Sequence, residues 1–415
     1  MSHEIGYSYL APSALSAART FHELTLATSG GSTSHAVTGA VPADHPFFFS
    51  GFVERPDVVA QALLVVARVA RTRFYTPPNM VAAILLAADP VVTSTLEGLR
   101  FESFSACCGV YARLDLDAEA LDAWHVKPGV TNIDVSPPLR QALAGLPTGE
   151  PLRLNVGEEE LRVATLDAEV VERKVALPKR WLKGFADSQA LSSAMSVRLD
   201  LDAAQARRFV QALPRASTSK TVLWATPAIG SVRLASRASP ESVCVAGPER
   251  LRVIEPLLHF ATGLRAYGSR APGSPVASGW VLELPGGRLT IGLSPEKSRG
   301  FSGEGAVLHA LSKEQVYDDA DLVSAPLSYD ARVDRAWLAA RTGLSAERVA
   351  DALTLLAASG QVGHDFASGA FFHRPMPYQP DALLSLNPRL AGARKLAGAV
   401  AFTGPGQATV RSGDT

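Results

Sequence analysis

Apolar positions in the first hundred residues recur with a helical period in one place. Pro56 stands at the first turn of the run that begins RPDVVAQALLVV, and Val58, Leu63, Val66 and Val69 follow at helical spacing. This pattern predicts a helix whose apolar stripe faces a core. A shorter helical stretch is expected near residues 12–24, and the aromatic segment HPFFFSGF reads as a loop before the main helix. Residues 1–98 are therefore expected to be mainly helical.

From Leu99 the period becomes that of a strand, because LRFESFSACCGVYARLDLD alternates apolar and polar residues, with Gly109 marking a bulge or a close backbone approach. A unit of alternating strand, amphipathic helix and paired strands then recurs three times. The three copies lie within 133–163, 197–246 and 251–293. Recurring units of this kind build surfaces more often than catalytic pockets. We place them in segments 99–192, 193–250 and 251–296.

The region 326–378 has the pattern of a winged helix-turn-helix. A helix ends at Thr342-Gly343-Leu344, Ser345 caps a second helix, and the strands QVGHDF and AFFHR turn at Ser368-Gly369. The apolar stripes that are expected to face each other contain Trp337, Leu338, Val349, Leu353 and Leu356. A Gly-rich loop and a helix starting near residue 304 are assigned to 297–325, YDDADLV reads as an acidic loop, and 379–415 is a C-terminal tail.

Composition narrows the class without naming a reaction. The 415 residues include 40 basic and 40 acidic side chains, so no global field gathers nucleic acid or anionic membrane. Hydrophobic residues make up 47% of the chain, yet no run is long and uninterrupted enough for a membrane span, and no signal peptide is read. Three cysteines cannot form a disulfide framework, which favours a cytoplasmic location.

Two motifs are candidates for a metal, thiol or phosphate site, and each also has a purely structural explanation. Neighbouring cysteines in a strand point to opposite faces, so Cys107 and Cys108 do not suit one metal site, and buried packing is their simpler role. The segment SRGFSGEGA could bind phosphate with Arg299 as the counter-charge, but a tight loop explains its glycines equally well. An enzyme that uses Cys108 or the 299–305 loop is the least favoured reading, because partner groups cannot be located.

The charge on the predicted winged helix indicates whether its partner is a protein or DNA. Its second helix carries Arg348 between Glu347 and Asp351, which favours a protein-docking module over a DNA reader. Arginines on its flanks could still contact a phosphate backbone. The interaction candidates are Arg299, Phe301, Glu304, Arg341, Arg348 and Arg374.

Several phrases resemble one family. They include FFFSGFVERPDVVAQALLVVARVARTRFY, LRFESFSACCGVYARLDL, LPKRWLKGFADSQAL, SRGFSGEGAVLHAL, GAFFHRPMPY and LNPRLAGARKLAGAV with ATVRSGDT. Together they look like the bacterial SWIM zinc-finger family in its actinobacterial-type long form. In that family a C-x-C…C-x-H module follows the last of these phrases; here no such cysteines follow, so zinc is expected only in that absent module. The resemblance implies partners of two kinds, a MoxR-type AAA+ ATPase and a VWA-domain protein, in a chaperone-like or phage-conflict system.

The sequence thus predicts an α+β, multidomain protein of recurring strand–helix–hairpin units followed by a winged helix-turn-helix. We expect a non-enzymatic adaptor with no catalytic residues and no cofactor, and a DNA-binding protein is the alternative. The units also loosely resemble the half-domains of sliding clamps. That resemblance makes Arg140, Arg207 and Arg208 candidates for nucleic-acid contact, although solvated helix faces explain them more simply.

Overall fold

The computed structural model describes most of the chain in separate stretches. They are residues 14–18, 21–27, 47–74, 90–133, 135–147, 149–157, 160–163, 184, 188–189, 192–193, 195–218, 220–269, 274–297, 300–301, 315–374, 400–404 and 407–410. The chain divides into two compact units. Unit 1 is Met1–Pro178 with Ala194–Phe301, and unit 2 is Lys179–Ser193 with Ser302–Thr415.

The first half of unit 1 contains ten strands and two α-helices within its described residues. The strands are β1 Ala14–Ala18, β2 Phe21–Ala27, β3 Phe47–Val53, β4 Val91–Thr95, β5 Gly98–Phe104, β6 Val110–Asp117, β7 Leu121–Val126, β8 Gly129–Asn132, β9 Leu152–Gly157 and β10 Glu160–Val163. The helices are α1 Pro56–Arg71 and α2 Pro137–Ala144, and a 3-10 turn spans Ala118–Ala120.

The second half of unit 1 repeats the same kinds of element. Its strands are β11 Ser196–Asp202, β12 Val222–Ala228, β13 Ser231–Ala235, β14 Val243–Ala246, β15 Gly263–Gly268, β16 Ser278–Leu284 and β17 Gly287–Leu293. Its helices are α3 Ala203–Ala212 and the 3-10 helix Pro248–Leu257. Asp202 and Gln205 form a capping box that fixes the start of α3 directly after β11.

The strands of unit 1 form three sheets. Their orders are β1-β2-β10-β9-β3-β7, β11-β15-β16-β17-β6-β5-β4-β8 and β13-β12-β14. Strands β6 and β17 pair along their whole length, with Leu116 opposite Gly287 and Val110 opposite Leu293. This pairing makes one continuous eight-stranded sheet from both halves of the unit.

Of the three predicted copies of the strand–helix–hairpin unit, the one at 197–246 has the predicted order of elements, and the other two depart from it. The copy at 197–246 contains a strand, a helix and three further strands, and residues 47–117 repeat that order as β3, α1, β4, β5 and β6. The copy at 133–163 lacks its first strand, because Ile133 and Val135 lie outside β8. The copy at 251–293 begins with a 3-10 helix, since LRVIEPL contains Pro256 and has no free amide there for an α-helical bond.

Residues 1–98 are not mainly helical where the structure describes them. Strands β1 to β4 lie there with α1 as the helix, and the expected helical stretch near residue 12 is strand β1 and strand β2. The aromatic segment predicted as a loop is β3, whose Phe49 is 1% exposed. Tertiary pairing overrides local pattern here, because β3 lies between β9 and β7.

Helices α1, α3 and the 3-10 helix pack against the eight-stranded sheet, and α2 packs against α1. Helix α1 contacts α2, the 3-10 helix and strands β5 and β6, and α3 contacts the 3-10 helix and β15. Helix α1 is buried on nearly every side, which fits its run of alanine and valine. Trp280 of β16 is 0% exposed and stacks on Phe209 of α3, with 5.3 Å between the ring centres. This pair therefore packs α3 against the sheet.

The described part of unit 2 is smaller. Its helices are α4 Val316–Ser324, α5 Arg335–Thr342 and α6 Ala346–Ala358, and its strands are β18 Val362–Asp365, β19 Ala370–His373, β20 Val400–Gly404 and β21 Gln407–Val410. Helix α4 occupies the segment that was predicted to be an acidic loop. Strand β18 pairs with β19, and β20 pairs with β21.

The turn between α5 and α6 follows the predicted signals. Gly343 ends α5 with a φ of 70°, and the Ser345 hydroxyl accepts a hydrogen bond from the Arg348 amide at the start of α6. Gly369, with a φ of 64°, forms the turn between β18 and β19. The core of this module contains Leu338, Val349, Leu353 and Leu356 at 0–3% exposure.

Candidate functional site

Helix α5 presents an aromatic residue to solvent beside an arginine. Trp337 is 48% exposed, and the guanidinium carbon of Arg341 lies 5.8 Å from the centre of its ring. The two residues are four positions apart and share one helix face. Trp337 had been assigned to the apolar stripe of the core, and this is wrong: the next residue, Leu338, turns inward and is 0% exposed.

Helix α6 offers little positive charge. Arg348 donates from Nε to a carboxylate oxygen of Asp319 at 2.8 Å and from its terminal nitrogen to the other oxygen. This hydrogen bond and the charge of Asp319 raise the pKa of Arg348. Asp319 belongs to α4 and is 3% exposed, so the arginine balances a buried carboxylate. The exposed Glu347 beside it leaves α6 poorly suited to bind phosphate.

A second aromatic–arginine cluster lies on the six-stranded sheet of unit 1. Trp124 of β7 is 52% exposed, its ring centre is 5.6 Å from that of Phe52, and the guanidinium carbon of Arg153 lies 4.7 Å from it. Strand β7 stands at one end of the strand order. The sequence reasoning missed this cluster, because Trp124 in LDAWHV has the same local pattern as a buried strand tryptophan.

The nucleic-acid candidates lie on the helix layer of unit 1. Arg207 and Arg208 are exposed on α3, and they donate to the backbone oxygens of Leu258 and Gly230, each at 3.3 Å. Arg140 is half-buried on α2. These carbonyl partners are neutral, so the positive charges of Arg207 and Arg208 persist at the surface.

The same layer contains two arginines that the sequence reasoning did not select. Arg68 and Arg71 are exposed on the last turn of α1. They are three positions apart in the sequence, which places them on one face of α1. In the sequence, these two arginines interrupt the apolar run that predicts α1.

Two interaction candidates are buried, which corrects their assignment. Phe301 is 6% exposed and its ring meets Phe104 edge-on at 6.0 Å. Arg374 is 0% exposed and donates to the backbone oxygen of Gly360 at 3.0 Å. Both side chains therefore stabilise the interior. Arg299 and Glu304, with most of the proposed phosphate loop, lie outside the described residues.

The described residues contain neither a cluster of metal ligands nor a helix that could span a membrane. No group of three or more His, Cys, Asp or Glu side chains there could hold a metal ion. Among the same residues, no helix combines the length and the apolar character needed to cross a bilayer.

Comparisons with known proteins give one kind of match. No family model matches the sequence, and no curated protein matches it. Among solved structures, the chain is similar to the proliferating cellular nuclear antigen from Entamoeba histolytica, with 10% identity and a TM-score of 0.37, over 60% of this chain and 98% of that one. It is also similar to the PCNA2–PCNA3 complex from Sulfolobus tokodaii, with 10% identity and a TM-score of 0.38, over 60% of this chain and 100% of that one. At these TM-scores the likeness carries no functional argument.

Proposed function

We propose that this protein is a non-enzymatic, cytoplasmic adaptor that docks a protein partner on the exposed face of α5. The observation that carries the proposal is the Trp337–Arg341 pair, with 48% of Trp337 exposed beside a guanidinium. Tryptophan and arginine are the side chains most enriched among residues that dominate binding energy at protein interfaces.

Helices α5 and α6 with strands β18 and β19 make, in this proposal, a protein-docking winged helix. The second helix of a DNA-reading module needs cations that reach bases and phosphates. Here Arg348 is already bound by Asp319, and Glu347 is exposed next to it. The charge distribution therefore favours a protein partner for this module.

The identity of the partner rests on the sequence resemblance alone. Membership of the SWIM zinc-finger family would make a MoxR-type AAA+ ATPase and a VWA-domain protein the expected partners. It would also place the adaptor in a chaperone-like or phage-conflict system. Zinc would belong to the family's separate module and not to the residues described above.

A binding experiment tests the docking face. The full chain and its Trp337→Ala and Arg341→Ala variants are immobilised and offered a purified MoxR-type AAA+ ATPase and a purified VWA-domain protein. We expect binding by the native chain and a loss of about tenfold or more with Trp337→Ala. Arg335→Ala, which removes an exposed charge from the same helix, is the matched control and should bind normally. Equal binding by all variants would reject α5 as the docking face.

DNA binding through the helix layer of unit 1 is the second candidate. Arg207 and Arg208 are exposed on α3, and α1, the 3-10 helix and α3 form adjacent parts of one layer. A mobility shift with duplex DNA at low and at moderate salt tests it, because phosphate-driven affinity falls steeply with salt. The Arg207→Gln/Arg208→Gln variant should lose affinity and reduce the salt slope by about two. Absence of binding at low salt would remove this candidate without affecting the docking proposal.

A further inference from the structure

The connection between β5 and β6 places the neighbouring Cys107 and Cys108 in a tight turn. The two residues do not lie in a strand, so the expectation that their side chains point to opposite faces does not apply. The Cys108 amide donates to the Ser105 carbonyl at 2.7 Å, and the Ser105 hydroxyl accepts from the amides of Gly109 and Val110. Both cysteines are half-buried, and the Sγ atom of Cys107 lies 3.4 Å from Oγ of Ser105.

Cys108 has a backbone conformation that favours glycine. Its φ is 54°, and among the described residues only Tyr329 is another non-glycine residue with a positive φ. The left-handed region brings the Cβ atom of an ordinary residue close to its own backbone. Strained residues of this kind cluster at functional positions, which directs attention to the thiol itself.

The buried guanidinium of Arg250 is hydrogen-bonded to the turn that contains Cys107 and Cys108. Arg250 is 0% exposed and donates to the backbone oxygens of Gly109 at 2.8 Å, Ser294 at 2.7 Å and Ala246 at 2.9 Å. Burial lowers the pKa of Arg250 to about 10, and the charge of Glu249 opposes this shift. The hydrogen bond to Gly109 fixes the carbonyl group of the residue that follows Cys108.

The third cysteine differs from the other two in its surroundings. Cys244 of β14 is 2% exposed, and burial raises the pKa of its thiol. A buried thiol of this kind reacts slowly with solvent oxidants. Cys244 is therefore an internal reference for the half-buried pair in the turn.

We propose that Cys107 and Cys108 form a reversible dithiol–disulfide site that is oxidised by peroxides. One thiol loses its proton and attacks a peroxide oxygen, the O–O bond breaks, a sulfenic acid forms, and the leaving hydroxide (or alkoxide) takes up the released proton to give water (or an alcohol). The neighbouring sulfur then attacks the sulfenic sulfur, so that the S–S bond forms and the hydroxide leaves as water with the second thiol's proton. Two thiols lose two electrons, and the peroxide gains them.

Adjacency makes such a disulfide easy to reduce. Neighbouring Cα atoms are about 3.8 Å apart, whereas ordinary disulfides join Cα atoms about 4.4–6.8 Å apart. The resulting strain makes the bond more reducible and is typical of labile, regulatory disulfides.

Peptide mapping of the full chain tests the site. The reduced protein is treated with hydrogen peroxide, alkylated and digested with trypsin, which releases Phe101–Arg113 with both cysteines. We expect this peptide to lose the mass of two hydrogens and to escape alkylation, and dithiothreitol should restore two alkylation sites. Cys244 should stay a thiol. Sulfinic acid on either cysteine, a cross-link to Cys244, or an unchanged peptide would each overturn the proposal.

A variant distinguishes disulfide formation between Cys107 and Cys108 from the oxidation of a single accessible thiol. Cys108→Gly suits the left-handed backbone and should keep the turn folded. In this variant Cys107 has no neighbouring thiol to trap its sulfenic acid, so excess peroxide should oxidise it to sulfinic or sulfonic acid, which dithiothreitol does not reduce. Cys244→Ala should form the same disulfide as the native chain. Equal recovery by dithiothreitol in Cys108→Gly and in the native protein would also reject the pairing.

Discussion

Two regions of this protein use arginine in opposite ways. At the junction of the β5–β6 turn with β14, Arg250 is 0% exposed and gives its hydrogen bonds to backbone oxygens and to the Ser294 hydroxyl. On α5, Arg341 is exposed and lies over a tryptophan that is itself half-exposed. The first arginine fixes loops that are distant in sequence, and the second forms a surface. The difference teaches that position in the fold, and not residue type, decides whether an arginine is structural or available to a partner.

The largest effect should come from the buried junction. Arg250→Met keeps an unbranched side chain but removes the guanidinium that donates to three backbone oxygens. The Gly109 oxygen still accepts from the Ser294 amide, whereas the oxygens of Ala246 and Ser294 lose the arginine as a donor. A buried acceptor left without a partner costs roughly 1–3 kcal/mol, and the shorter side chain leaves a cavity, so we expect unit 1 to lose about 3 kcal/mol or more of unfolding free energy. Urea unfolding followed by near-ultraviolet circular dichroism measures the loss. Arg208→Met, at an exposed position, should change the unfolding free energy by no more than about 0.5 kcal/mol. Equal losses from the two variants would contradict the structural role of Arg250.

The next effect contrasts two neighbours on α5. Leu338 is 0% exposed, and Leu338→Ala should destabilise unit 2 by about 3 kcal/mol through the lost contacts and the cavity. Trp337→Ala removes a larger side chain that is 48% exposed, and it should cost less than about 1 kcal/mol. Thermal unfolding of both variants checks the order. A loss from Trp337→Ala as large as that from Leu338→Ala would place Trp337 in the core after all.

A smaller effect tests the strain in the turn that Arg250 holds. Cys108→Gly removes the left-handed penalty of about 1–2 kcal/mol but adds flexibility to the unfolded chain. We therefore expect a net gain of about 0.5 kcal/mol in unfolding free energy. Cys107→Gly has no such strain to relieve, and it should lower stability by about 0.5–1 kcal/mol. Urea midpoints of the two reduced variants should move in opposite directions; a shift of the same sign would argue against strain at Cys108.

The smallest effect concerns pH in the module that contains α5. Burial, with the charge of Arg374, lowers the pKa of His373 below 6.5, and Asp330 opposes this shift. Below pH 6.5 the unfolded chain takes up a proton that folded His373 refuses, so this contribution to stability is lost as the pH falls. His373→Asn keeps an acceptor for the Tyr329 amide, which donates to Nδ1 at 2.9 Å.

Unfolding free energies at about pH 7.5 and about pH 5.5 measure this dependence. The native chain should lose more stability between them than His373→Asn does. His259→Asn, at an exposed position of unit 1, is the control and should behave like the native chain. A pH dependence that His373→Asn leaves unchanged would show that other groups cause it.

Local elements could be predicted wherever the signal is local. The spacing from Val58 to Val69 predicted α1, and Gly343, Ser345 and Gly369 predicted the turns of the α5–α6 module, because capping and left-handed turns depend on a few adjacent residues. The strands at 14–27 were missed, since β2 pairs with β10, far along the chain, and β1 pairs with β2 at the edge of the same sheet. The β5–β6 hairpin was read as one strand because Cys108, not a glycine, takes the left-handed position.

The candidate sites divide in the same way. Arg341, Arg207 and Arg208 were selected from the sequence and are exposed, because long charged side chains on helices usually remain in water. Phe301 and Arg374 were selected equally and are buried. Trp124 could not be distinguished from Trp280 by pattern, since both stand in alternating strands and only the covering layer differs.

The sequence by itself determined the positions of α1, α5 and α6, the turns of the α5–α6 module and the mixture of helices and strands, since each follows from spacing or from one residue's backbone preference. Only the tertiary structure decided that β6 and β17 join both halves into one sheet, that Arg250 holds the Cys107–Cys108 turn, and that Trp337 faces solvent. These facts depend on contacts between residues that are distant in the chain or on which side of a helix is covered. Periodicity along the chain specifies a face but not what lies against it.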